Sequence, residues 1–269
     1  MTDATEPFAI SISQLRKCFD HVAALEGLDL HVAHGCIFGL LGPNGAGKST
    51  AIKMLTTLLD PTSGSATVAG FDISRQPVEV RRHIGYVPQM LSADGALTAI
   101  ENLNLSARLH GLHGAQRRAR VKDAIAFAGL EASASKLVRT YSGGMIRRLE
   151  IAQATLHNPQ VLFLDEPTIG LDPIARRNVW ERLVQLRDKG TTILITTHDM
   201  EEADTLCDEL AILHQGRLAV VGKPDALKAQ VGEQASLDDV FVHFSGVGLE
   251  QDGNYRGTRD SRDAIQRLG

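Results

Sequence analysis

Residues 36–50 read CIFGLLGPNGAGKST. The first six are a continuous apolar run of strand length, the kind a parallel sheet buries on both faces. The next eight fit G-x-x-x-x-G-K-[ST]: Gly42, Pro43, Asn44, Gly45, Ala46, Gly47, Lys48 and Ser49, with Thr50 behind them. STAIKMLTTLL then continues at helical spacing. A strand, a glycine loop and a helix start in direct succession separate a phosphate-binding loop from an ordinary glycine turn. Gly42, Gly45 and Gly47 let the backbone curl with its amides inward and no Cβ in the way. The helix N-terminus adds roughly half a positive charge. Lys48 can reach the β and γ phosphates, and the Ser49 hydroxyl can ligate Mg²⁺.

Outward from this stretch, strands alternate with helical patterns, which predicts an α/β architecture with a parallel sheet. FAISISQL (8–15) and LEGLDLHV (25–32) read as edge strands. From about 92 to 158 strands vanish, and LTAIENLNLSARLH and RARVKDAIAFAG predict an inserted helical unit that opens on a capping box, Thr98 with Glu101. QVLFLD (160–165) and TTILITT (191–197) return to strand, with a helix between them that starts at Pro173, has Asp172 as N-cap and ends before Gly190. ELAILH and RLAVVG, around Gln215-Gly216, predict a hairpin. From Ser245 glycine and mixed charge replace apolar periodicity, so 245–269 is expected to be a polar, poorly ordered tail, with SRDAIQRL able to form one short helix.

The chain has 269 residues, 43% of them hydrophobic and 4% aromatic, enough for one large domain or two packed subdomains. A formal charge of −4 without a basic patch argues against a nucleic-acid partner. Cys18, Cys36 and Cys207 are widely spaced and form no CxxC, as expected of reduced thiols in a cytosolic compartment. MTDATEPFAI lacks the apolar core of a signal peptide, and no uncharged run approaches the ~20 residues a membrane span needs.

A phosphate site needs a carboxylate for its metal and a group to handle the attacking water. At the end of VLFLDE, Asp165 can hold Mg²⁺ and Glu166 can orient or deprotonate water. Two adjacent carboxylates are costly unless a cation or exposure relieves them, which favours this role over a simple turn cap before Pro167. His198 follows TTILITT at a strand's C-terminal end, where α/β sheets place ligands. Gln89, in YVPQM, follows the short strand IGYV. Position alone makes both candidates, since a lone histidine or a polar residue after a strand is commonplace. YSGGM (141–145) supplies a second glycine-rich helix start ahead of IRRLEIAQATL.

Taken in order, GPNGAGKST, YVPQ, YSGGM, VLFLDEP, IGLDP and TTHDM resemble the nucleotide-binding subunit of ATP-binding cassette (ABC) transporters, over residues 8–244. The resemblance implies a P-loop NTPase, a RecA-like core with a parallel sheet, an antiparallel β subdomain and an inserted helical subdomain. It implies Gly42 to Thr50 as Walker A, Gln89 as the Q-loop glutamine sensing Mg²⁺ and the membrane partner, Asp165 as the Walker B aspartate, Glu166 as catalytic glutamate, Asp172 on the D-loop and His198 as the switch histidine. Phe19 matches the aromatic that stacks on adenine, usually a tyrosine. Ser142, Gly143 and Gly144 fall on the signature loop, commonly LSGGQ, which completes the site of a second subunit packed head to tail. Tyr141 and Met145 depart from that pattern. YSGGM-x-RR, TTHDMEEAD and SLDDVFVHFSG are similar to the drug-resistance, daunorubicin-type branch of exporters.

The implied protein is an ATPase with ATP and Mg²⁺ as cofactors. It would pair with a second nucleotide-binding subunit, expected to be another copy, and with an integral membrane permease docking near Gln89 and 92–140. It would sit peripherally on the cytoplasmic face of the cell membrane. A soluble ABC ATPase of DNA repair or translation and an importer subunit remain the alternatives. Repair members separate Walker A and signature by long coiled coils, whereas Lys48 and Ser142 are 94 positions apart. Translation members usually carry two cassettes in one chain.

Overall fold

The computed structural model describes residues 7–246. Strands β1 (Ile10–Phe19) and β2 (Val22–Val32) form a hairpin, and β3 (Ile37–Leu41) leads through the glycine loop into helix α1 (Lys48–Leu55). There follow β4 (Ser63–Val68), β5 (Phe71–Asp72), α2 (Pro77–His83) and β6 (Ile84–Val87). Three helices come next: α3 (Ala99–Leu109), α4 (Gly114–Ala128) and α5 (Gly143–Thr155). The chain then alternates through β7 (Val161–Asp165), α6 (Pro173–Asp188), β8 (Thr192–Thr197) and α7 (Met200–Leu206). It closes with β9 (Glu209–His214), β10 (Arg217–Gly222), α8 (Pro224–Val231) and α9 (Leu237–Ser245).

Two sheets result. The larger has the order β10-β9-β3-β8-β7-β6, with β9 through β6 parallel and β10 antiparallel to β9. β3, β7 and β8 are buried at every position. Alternate residues feed opposite faces. Phe38, Leu40, Phe163 and Leu194 pack with Ile52 and Met54 of α1, and Ile37, Leu162, Leu164 and Ile193 pack with Val179 and Leu183 of α6. With both faces covered, apolar residues are needed at every position, so these strands read as continuous runs.

The smaller sheet is antiparallel, in the order β2-β1-β4-β5. It corrects one expectation. β2 is an edge, but β1 is interior, paired with β2 on one side and β4 on the other. The strand that covers it, SGSATV, is too rich in serine and glycine for propensity to reveal it. Pairing with a ready-made neighbour determined its state.

No strand interrupts residues 88–160 apart from an isolated bridge between Thr98 and Leu137. α3, α4 and α5 enclose a separate core that includes Leu103, Val121, Leu149 and Tyr141. The Tyr141 hydroxyl donates to the Ser133 carbonyl at 2.6 Å, so the departure from leucine fits a buried site that also satisfies a polar tip. The Thr98–Glu101 capping box is present at the start of α3. Residues 247–269, with the expected tail and the SRDAIQRL helix, lie outside the described residues.

Candidate functional site

Four parallel strands deliver side chains to one edge of the large sheet, the C-terminal edge where α/β folds bind ligands. β3 ends in the Gly42 loop, β6 just before Gln89, β7 just before Glu166 and β8 just before His198. The loop is tied at both ends, with the Gly42 amide donating to the Thr197 carbonyl at 3.3 Å and the Gly216 amide to Ala46 at 3.1 Å. Gly47 has φ +104, and a Cβ there would lie 2.6 Å from the Ala24 carbonyl of β2. Glycine is therefore required both by the turn and by the close approach of the β1–β2 hairpin.

Glu166 lies at the centre. It is 6% exposed, and both its oxygens are engaged. Lys48 Nζ is 3.4 Å and His198 Nδ1 3.2 Å from Oε1, and Gln89 Nε2 donates to Oε2 at 3.2 Å. Its φ of +48 is left-handed. For a residue with a Cβ such a conformation costs about 1–3 kcal/mol and persists where the surroundings dictate it, often at functional sites. Here the dictating group is Thr196, whose Oγ and carbonyl accept from the Glu166 amide at 3.0 and 3.1 Å.

Lys48 is 4% exposed and donates to the carbonyls of Gly42 at 2.6 Å and Pro43 at 3.2 Å. Burial pushes its ammonium below the ordinary lysine range, and the carboxylate of Glu166 works in the opposite direction. α1 has no side-chain cap at Gly47, so its first amides are not covered by a side chain. An open helix start beside a buried ammonium fits a polyphosphate. Ser49 Oγ donates to Asp165 Oδ1 at 3.1 Å, and Thr196 Oγ1 donates to the same oxygen at 2.5 Å. Among the described residues no three His, Cys, Asp or Glu side chains converge. A hydroxyl and one carboxylate beside a phosphate cradle fit Mg²⁺, which takes few protein ligands and completes its shell with phosphate and water.

The structure thus brings together Lys48, Ser49, Gln89, Asp165, Glu166 and His198, and a cleft of about 120 Å³ opens beside Glu166 and His198. Asn44 and Gly45 are exposed on the loop's outer side, and Thr50 follows Ser49 in α1. Phe19 stands apart at the end of β1, 47% exposed, with Lys17 Nζ 5.2 Å from its ring centroid. Asp172 caps α6, accepting from the amides of Ile174 at 3.0 Å and Ala175 at 2.9 Å. Ser142 caps α5 through Met145 at 3.3 Å and is exposed with Gly143, while a Cβ on Gly144 would lie 2.7 Å from that of Ala175. Phe19, Asp172, Ser142, Gly143 and Gly144 do not join the Glu166 cluster.

Sequence reasoning passed over Thr196, which read only as strand, although it bonds both Asp165 and Glu166. A polar residue on a fully buried strand next to the site was the available signal. It also passed over Glu202, 1% exposed, whose Oε1 accepts from Thr168 Oγ1 at 2.7 Å and Trp180 Nε1 at 2.9 Å.

The family model described as ABC transporter matches residues 25–169. The daunorubicin/doxorubicin resistance ATP-binding protein DrrA of Streptomyces peucetius is 46% identical over 224 residues, 83% of this chain and 68% of that protein. The Nod factor export ATP-binding protein I of Cupriavidus metallidurans is 44% identical over 234 residues, 87% and 76% of the two chains. Among solved structures, the dimeric ATP-binding cassette MJ0796 in a post-hydrolysis state, bound to ADP and Pi, aligns with a TM-score of 0.72 at 27% identity over 80% of this chain and 98% of that one. The family match, two relatives similar over most of their length and the convergence of strand ends on Glu166 agree: the chain belongs to the ABC transporter family, as an ATP-binding subunit.

Proposed function

We propose that this subunit hydrolyses ATP with Mg²⁺ in a dimer of two copies and thereby drives a separate membrane exporter from the cytoplasmic face. The observation that carries this reading is the three-sided hold on Glu166, from Lys48, His198 and Gln89 at 3.2–3.4 Å. The glycine loop and the α1 amides bind the phosphates, with Lys48 on the β and γ groups. Mg²⁺, held by Ser49 and Asp165 with Gln89 nearby, would neutralise phosphate charge and polarise the terminal group. Glu166 takes a proton from water as the water oxygen bonds to the γ-phosphorus and the bond to the bridging oxygen breaks, releasing ADP and phosphate. His198 and Gln89 fix the carboxylate for that transfer, and His198 also reaches the γ-phosphate. Phe19 stacks on adenine.

Ser142, Gly143 and Gly144, with Asp172 beside them on the D-loop, serve the nucleotide of the second copy. ATP between copies favours the closed dimer by its differential affinity for that state. Export is supported by the relatives, whose names are those of drug-resistance and Nod-factor export proteins. No helix among the described residues is long and apolar enough to cross a membrane, which fits peripheral attachment to a permease. Exposed Met90 and Leu91 beside Gln89, with Leu105 and Leu109 on α3, suit a permease's cytoplasmic helix docking near Gln89 and 92–140. Glu166→Gln tests the assignment. It should lower turnover by about 10²–10⁴, the range of general-base participation, while ATP binding stays intact and an ATP-bound dimer accumulates. Wild-type phosphate release by that variant refutes it.

A further inference from the structure

The loop that carries Gln89 is exposed on its outer side, yet its inner polar groups are held from beneath by two buried charges. Arg147 and Glu150, one turn apart on α5, form an ion pair at 3.0 Å with side-chain exposures of 3% and 2%. The guanidinium donates from Nη1 to the Pro88 carbonyl and from Nη2 to the Gln89 carbonyl, each at 2.8 Å. Glu150 Oε1 accepts from the Ser92 amide, from Ser92 Oγ at 3.0 Å and from the Ala93 amide at 3.2 Å. One pair therefore grips both arms of the loop. Beyond it, the Gln89 side chain reaches Glu166.

Stability alone does not account for this arrangement, because an apolar pair of similar volume commonly replaces a buried ion pair at no loss. An apolar pair cannot satisfy two carbonyls on one arm and two amides on the other, nor fix where the loop stands relative to the helix. Arginine's planar fork matches two successive carbonyls, which a lysine ammonium cannot do at once. The same helix begins at Ser142, five residues before Arg147.

We propose that Arg147 and Glu150 are positioning residues for hydrolysis. They clamp the 88–93 loop to the helix headed by Ser142, so that Gln89 meets Glu166 only while that helix is in place. The half-site that a chain lends to its partner is thereby joined to the catalytic carboxylate of its own site through one rigid helix. The inference rests on the assignment of Glu166 and Gln89 under "Proposed function".

The test is a double-mutant cycle on the full-length chain, read as steady-state phosphate release against ATP concentration. Arg147→Ala would strand Glu150 as a buried unpaired charge and risks misfolding, so Arg147→Lys is the informative variant. Glu150→Gln, which keeps an acceptor oxygen for Ser92 and Ala93, is the second. Each should lower kcat by about tenfold, within the range of coupling between contacting residues, with KM for ATP unchanged. In a Gln89→Ala background neither should lower kcat further. Equal losses in both backgrounds, a raised KM at constant kcat, or no loss in either overturns the proposal. Glu166→Gln, run in parallel, separates the two failures: if it is inactive and the cycle is additive, only the clamp is wrong, whereas if it turns over normally the underlying assignment falls too.

Discussion

The molecule has two glycine-rich helix starts, and they differ in what surrounds them. At the start of α1, a buried lysine, a glutamine and a histidine lie within hydrogen-bond or ion-pair reach of a strained glutamate, and Ser49 bonds the neighbouring aspartate. At the start of α5, the serine caps its own helix, two of three residues face solvent, and a Cβ on either glycine would meet only Leu171 or Ala175. Both are anion-binding geometries, because every helix start leaves amides unpaired. In the proposed function only the first has the groups that move a proton, and the second is a half-site completed by another copy.

The largest effect that could break this comparison is on turnover. Ser142→Arg should remove hydrolysis to the extent Glu166→Gln does, about 10²–10⁴-fold, while ATP binding to the isolated chain, measured by equilibrium titration, is kept. If phosphate release stays normal, Ser142 is a helix cap and nothing more.

Acid stability sharpens the contrast along α5. His157, two residues past its end, stacks on His110 at 3.8 Å, and burial, with the nearby charges of His110 and His83, lowers it from 6.5 to about 4. Above pH 6.5 both folded and unfolded states hold it neutral. Below that the unfolded chain takes the proton first, so stability falls between pH 6.5 and about 4, by at most about 3 kcal/mol. His157→Phe should flatten the Tm–pH slope in that window; an unchanged slope rules the histidine out. At the α1 start, burial lowers the Lys48 ammonium from its ordinary 10.5, and the Glu166 carboxylate opposes that shift.

Smaller still is the packing difference. Gly144→Ala forces a Cβ to 2.7 Å from Ala175 and should cost about 1–3 kcal/mol of stability by overpacking, read as a lower Tm. Gly45→Ala meets nothing within 4 Å, so its penalty is the left-handed φ of +82 alone, about 1–2 kcal/mol. Equal stability of Gly144→Ala and wild type would mean that α5 and α6 can separate freely. The smallest effect expected is at Phe19, half exposed, where alanine should raise KM for ATP about fivefold through loss of roughly 1 kcal/mol of stacking and leave kcat unchanged.

Much of the site was legible because its residues follow strands whose burial is written as unbroken apolar runs. IFGLL, VLFLD and TILITT each announce a strand, and Gly42, Glu166 and His198, which follow them, stand where a parallel sheet collects ligands. What stayed hidden has a common cause. SGSATV became a strand because β1 offered a partner. Thr196 and Glu202 bond groups 22 to 34 positions away in sequence, and Arg147 and Glu150 hold a loop more than fifty positions upstream. None of these has a periodicity or spacing that would mark it.

By itself, the sequence determined the α/β class, the phosphate loop, the acidic pair and the order of motifs. Those depend on local residue types: glycine for a curled backbone, apolar runs for a doubly covered sheet, a carboxylate at a strand end. Only the tertiary structure decided that Glu166 is held from three sides, that it sits at a left-handed φ beneath Thr196, and that the loop carrying Gln89 is gripped by a buried ion pair from α5. Such contacts form between segments distant along the chain. Their geometry is set by sheet order and helix packing, which no local pattern of side chains encodes.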